Sequence, residues 1–120
     1  MINEDDLEGF GYYGDSLSFN DYQRKASRTA IYSMAYQILY PALGLAGEAG
    51  EVANKVKKLL RDSTKLDRSA IADELGDVLW YISALCRDLN IDMGDVAKRN
   101  LEKLYDRMER GTLGGSGDKR

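Results

Sequence analysis

Residues 67–90 read DRSAIADELGDVLWYISALCRDLN, and this stretch decides the fold. Ile71, Leu75, Val78, Leu79, Ile82, Leu85 and Leu89 recur at steps of three and four, the spacing that lines one face of an α-helix. Asp67 or Ser69 supplies the oxygen that starts it, and Asn90 ends it. Upstream, Pro41 is the only proline and suits the first turn of a preceding helix, where its missing N–H costs nothing. That helix is expected to reach about Arg61, with Asp62, Ser63 and Thr64 as a polar loop. Ser18 followed by Asp21 resembles a helix start, and no glycine or proline interrupts the chain from Phe19 to Tyr40, so a first helix is expected there. Asp92 with Asp95 opens a fourth, which runs through Val96, Leu101, Leu104 and Met108 to about Arg110. No useful β-alternation occurs. An all-α fold of four bundled helices is expected.

The flanks differ in character. Residues 1–18 mix acids, glycines and tyrosines and read as a loosely ordered arm; residues 111–120 hold four glycines and read as a flexible tail. One helical domain over 19–110 lies between them. The chain has 120 residues with 17 basic and 20 acidic side chains, a net charge of −3, which gives no cationic field for holding a nucleic-acid polymer. The N-terminal stretch lacks the basic and apolar regions of a signal peptide, and no run reaches the ~18 apolar residues of a membrane span, so a cytoplasmic protein without membrane contact is expected. Cys86, the lone cysteine, falls in an apolar periodic stretch and reads as a small core residue in a reducing compartment. Histidine is absent, which removes imidazole-based triads and histidine zinc sites.

Two acidic pairs carry the functional signal: Glu48-Ala-Gly-Glu51 and Glu74-Leu-Gly-Asp77. Each has i, i+3 spacing, which sets both carboxylates on one helical face about one turn apart. Like charges held that close repel, and hard oxygen donors in such a set point to Mg²⁺ or Mn²⁺. At roughly 100° per residue, Leu45, Val52, Val56, Leu59 and Leu60 form the apolar stripe of the second helix, with Glu48 at its margin and Glu51 about 60° further round. On the third helix Glu74 lies at the stripe's edge and Asp77 toward the polar side. Both pairs border core and solvent, although surface helix flanks are the commonest fate of such acids. Gly44, Gly47, Gly50 and Gly76 interrupt the same helices, each costing ~1 kcal/mol relative to alanine; close helix approach or room for a ligand would offset that cost.

The runs Leu43-Gly-Leu-Ala-Gly-Glu-Ala-Gly-Glu-Val52 and Ala72-Asp-Glu-Leu-Gly-Asp-Val-Leu79 closely resemble MazG-like nucleoside triphosphate pyrophosphohydrolases of the all-α NTP pyrophosphatase superfamily. That family's pattern is Glu-Glu-x-x-Glu followed by Glu-x-x-Asp. Glu48, Glu51, Glu74 and Asp77 match it, whereas Gly47 stands where the first acid belongs. Asn100, Lys103 and Arg107 echo the family's phosphate-contacting run, and Tyr22-Gln23, Thr29-Ala30 and the closing Gly-Ser-Gly-Asp-Lys-Arg resemble the compact members. The likeness covers roughly 19 to 120.

The resemblance implies hydrolysis of a nucleoside triphosphate between its α and β phosphates, to nucleoside monophosphate and pyrophosphate. It implies that Glu48, Glu51, Glu74 and Asp77 hold Mg²⁺, with Glu48 or Glu51 also acting as catalytic base. It also implies a homodimer or homotetramer. Asn100, Lys103 and Arg107 stand at i, i+3 and i+7, a stripe able to donate to phosphate oxygens, though solvated cationic faces are common. Lys55 could pair with Glu51 or reach a phosphate; Lys57 and Lys58 read as surface. Trp80, Tyr81 and Tyr105 could stack on a base, although packing is the commoner role of such residues. Alternatives are a dUTPase or dCTPase of the same superfamily, or a non-catalytic helical oligomerisation module.

Overall fold

The computed structural model describes residues 16–63 and 65–111; the arm before Ser16, Thr64 and the tail after Gly111 lie outside the described residues. Among the described residues the fold is all-α, with α1 (Phe19–Ser27), a 3₁₀ turn (Met34–Tyr36), α2 (Leu39–Asp62), α3 (Arg68–Asp88) and α4 (Met93–Glu109). The short link between α2 and α3 makes them an antiparallel hairpin, against which α1 packs on the α3 side, and α4 packs on α1 and α3.

The predicted starts of α1 and α3 hold for the expected chemical reasons. Asp21 N–H donates to Ser18 Oγ at 3.0 Å while Ser18 N–H donates back to Asp21 Oδ2 at 3.3 Å, a reciprocal capping box. These bonds hold the Asp21 carboxyl below its usual range. Asp67 caps α3 by accepting from Ala70 N–H at 3.0 Å. Pro41 lies in the first turn of α2 and is buried.

The first helix stops at Ser27, not at Tyr40 as the uninterrupted run suggested. Hydroxyls end it: Ser27 Oγ donates to the Arg24 carbonyl and Thr29 Oγ1 to the Ala26 carbonyl, both at 2.7 Å, competing with further helix. Tertiary partners then hold the released segment. The Trp80 indole N–H donates to Thr29 Oγ1 at 2.7 Å. Asp88, whose side chain is 0% exposed, accepts from Tyr32 Oη at 2.6 Å and from Ile38 N–H at 2.9 Å. Arg87 pairs with Asp88 at 3.0 Å and donates to Tyr32 Oη at 2.9 Å. Ile38 has φ +68° and centres a γ-turn closed by Leu39 N–H on the Gln37 carbonyl at 2.7 Å. A β-branched residue there is strained, and the Asp88 contact helps hold it.

The fourth helix begins where expected, but Asp92 makes no side-chain capping bond. α1 caps it instead: Asn20 Oδ1 accepts from Gly94 N–H and Gln23 Oε1 from Met93 N–H, both at 2.8 Å.

Cys86 is buried as expected, and burial pushes its thiol up. Of the predicted stripes, Leu45, Val52, Leu59, Ile71, Val78, Leu79, Ile82 and Leu85 are half-buried, whereas Val56, Leu60, Leu75 and Leu89 face outward. Leu39, Leu43, Leu101, Tyr105 and Met108 are exposed too. No helix among the described residues is long and apolar enough to cross a membrane.

Candidate functional site

The α2–α3 hairpin brings the two acidic pairs level. Carboxylate oxygens of Glu48, Glu74 and Asp77 lie within 4.8 Å of one another. Glu48 and Glu74 are half-buried and Asp77 is exposed, so the group sits at the helix seam and opens on the Asp77 side. Glu51, one turn beyond Glu48, is exposed and lies outside this group of three. Burial chiefly raises the Glu48 carboxyl above its usual range; the hydrogen bond with Glu74 and the charges of Asp77, Glu74 and Glu51 add to it. Three converging carboxylates without nitrogen or sulfur donors form a set suited to a hard divalent cation.

Lys55 completes the surroundings. Its Nζ lies 3.5 Å from Glu74 Oε1, so it crosses to α3 instead of pairing with Glu51 along its own helix. The Glu74 side chain is only 18% exposed, which makes this contact less screened than a surface pair.

Two tyrosines lie near enough to the acids to feel their charge. Burial and then the Asp77 charge push the Tyr22 hydroxyl up. Tyr81 is raised by burial, by its hydrogen bond with Tyr40 and by the charges of Tyr40, Glu48 and Asp77. The rings form a continuous series: Trp80 meets Tyr81 edge-on at 5.0 Å, Tyr81 meets Tyr40 at 6.1 Å, and Tyr40 stacks on Tyr32 at 4.7 Å. Tyr81, four residues beyond Asp77, could have been placed from helical spacing. Tyr22 could not, because it comes from a different helix.

Gly44 explains how the two helices meet here. A Cβ at this position would clash with ring atoms of Tyr81. The other glycines behave differently: a Cβ at Gly47, Gly50 or Gly76 meets nothing within 4 Å. Close approach therefore accounts for one of the four, and open space surrounds the three nearest the acids.

The basic stripe of α4 has its own setting. Asn100 and Lys103 line a shallow depression with Val96 and Arg99, and Arg107 is buried. Their helix packs on α1 and α3, so the stripe is not part of the hairpin that carries the acids. Tyr105 is exposed on the same helix.

The fold is thus a helical bundle in which carboxylates from two antiparallel helices gather around one point, a donor set that could hold a divalent cation. The chain is a member of the MazG family: the model of the MazG nucleotide pyrophosphohydrolase domain matches residues 39–112. That span opens on the first residue of α2 and passes the end of α4, so it contains both acidic pairs and the basic stripe. Gene 37 protein of Mycobacterium phage L5 is 47% identical over 109 residues, covering 82% of this chain and 96% of that protein. No solved structure matches the chain.

Proposed function

We propose that the protein is a Mg²⁺-dependent pyrophosphohydrolase that cleaves nucleoside or deoxynucleoside triphosphates between the α and β phosphates. The observation that carries this reading is the convergence of Glu48, Glu74 and Asp77 within 4.8 Å in a MazG-family chain. Glu48, Glu74 and Asp77 would hold the cation, with Glu51 beside them on α2. A divalent ion bound there neutralises phosphate charge and acidifies water.

The chain's own groups supply the rest. Water forms a bond to the α-phosphorus, the bond from that phosphorus to the α,β-bridging oxygen breaks, and pyrophosphate departs with the bonding electrons. Glu48, at the cation site, or Glu51, exposed one turn further along α2, takes the proton of the attacking water. Lys55 stabilises negative charge next to the acids, and exposed Asn100 and Lys103 contribute phosphate contacts from α4, whereas Arg107 is buried in its own chain and would need to be uncovered to join them. The outward apolar residues of α2, α3 and α4 support assembly into a homodimer or homotetramer, where α4 of one copy would serve the hairpin of another.

Turnover of a panel of canonical and modified triphosphates with Mg²⁺, with product identification, tests the reading. Nucleoside monophosphate and pyrophosphate are expected, lost in Glu51→Gln and in Asp77→Asn while the fold is kept. Orthophosphate as first product, or wild-type rates in both variants, would overturn it.

A further inference from the structure

We propose that the cleft between the C-terminal half of α2 and the first turn of α3 binds the terminal pyrophosphate unit of a polyphosphate, through Lys55, Lys58 and Lys65. The cleft measures about 200 Å³, and these three lysines line it together with the apolar Leu59 and Ile71. Asp67 also lines it, but its carboxylate is engaged by the Ala70 N–H at 3.0 Å as the cap of α3. Lys58 leans electrostatically on Asp62, which is itself held by Arg61 at 2.7 Å. Among the described residues neither Lys58 nor Lys65 forms an ion pair. Three lysine side chains around one small cleft concentrate positive charge there, and a multivalent anion offsets it.

Lys55 joins this cleft to the carboxylates. Its side chain walls the cleft while its ammonium lies 3.5 Å from Glu74. A cation-binding group and an anion-binding group thus abut across a single side chain. A linear polyphosphate fits such a pair, with one phosphoryl against the carboxylate-held cation and the next ones against ammonium groups. The inference rests on the pyrophosphohydrolase reading for its orientation: the α-phosphoryl lies at the acids and the leaving group in the cleft. Lys55 then sits beside the bridging oxygen on which charge develops. A cation that takes Glu74 also frees the Lys55 ammonium for the cleft, so cation and polyphosphate bind with positive coupling. Helical spacing marks Lys58 only as a surface residue, and nothing in the sequence links Lys65 to the acids.

Calorimetric titration of the full chain with inorganic pyrophosphate, with Mg²⁺ present, tests the cleft. The double variant Lys58→Gln/Lys65→Gln should bind at least about tenfold more weakly, since two charge-assisted contacts are lost. Its melting temperature should still rise with Mg²⁺ alone, as in the wild type. A charge-matched control, Lys57→Gln/Lys98→Gln, should bind within about twofold of wild type. Equal weakening in both double variants, unchanged binding in the cleft variant, or no pyrophosphate binding by the wild type would each overturn the proposal. Nucleotide hydrolysis by a protein whose pyrophosphate binding ignores Lys58 and Lys65 would remove the cleft and leave the enzymatic reading intact. Cleft-dependent pyrophosphate binding in a protein that hydrolyses no nucleotide would do the reverse.

Discussion

Gly44→Ala and Gly47→Ala make the same chemical change one helical turn apart on α2, and the structure gives them opposite signs. At Gly44 the new methyl occupies the space of the Tyr81 ring, so the ring must leave or the helices must separate. Overpacking of this kind costs about 1–3 kcal/mol. Displacing Tyr81 from Tyr40 and Trp80 costs roughly 0.5–1.5 kcal/mol more. Alanine returns about 1 kcal/mol of helix propensity, which leaves a net loss of about 2 kcal/mol. For a chain of this length that lowers the melting temperature by roughly 6–12 °C. At Gly47 the methyl meets nothing within 4 Å, only the propensity gain of about 1 kcal/mol remains, and the melt rises by roughly 3–6 °C. Calorimetry in metal-free buffer measures both. Glu48 lies one turn beyond Gly44, so Gly44→Ala should also blunt the thermal stabilisation by Mg²⁺. A Gly44→Ala protein melting at or above the wild type would refute the packing argument, as would a Gly47→Ala protein melting well below it.

Two further outcomes follow from individual contacts. Because the native Glu48 carboxyl is raised above its ordinary value of 4.5, the folded protein binds the extra proton; metal-free stability therefore falls as pH rises from that value through the raised one. Glu48→Gln should flatten this slope in urea melts taken across that window, and an unchanged slope would remove Glu48 as its source. Asp88→Ala strips the acceptor from Tyr32, Ile38 N–H and Arg87 and should cost about 2–4 kcal/mol, whereas Asp88→Asn, which keeps an acceptor oxygen, should cost less. Equal losses in the two denaturant melts would show that the acceptor oxygen is not what matters.

Local signals were legible where the chemistry is local. The caps Ser18 and Asp67, the proline of the first α2 turn and the period of α3 all act within a few residues of themselves, and each could be read directly. The end of α1 could not, because it depends on the Ser27 and Thr29 hydroxyls together with Trp80, Arg87 and Asp88, more than 50 residues away. The start of α4 at Asp92 was legible, but its capping partners were not, because Asn20 and Gln23 reach across from α1.

By itself the sequence determined the helical period, the spacing of two carboxylate pairs and their place at the margin of an apolar stripe. Those properties repeat within one or two turns and need no partner. Only the tertiary structure decided that Glu48, Glu74 and Asp77 converge while Glu51 stands outside them, and that Lys55 turns to Glu74. It likewise decided that Gly44 admits Tyr81 and that Lys58 and Lys65 share a cleft with Lys55. These outcomes depend on the relative height and separation of α2 and α3. Helix-to-helix register arises from packing between residues far apart in the chain, which helical spacing does not encode.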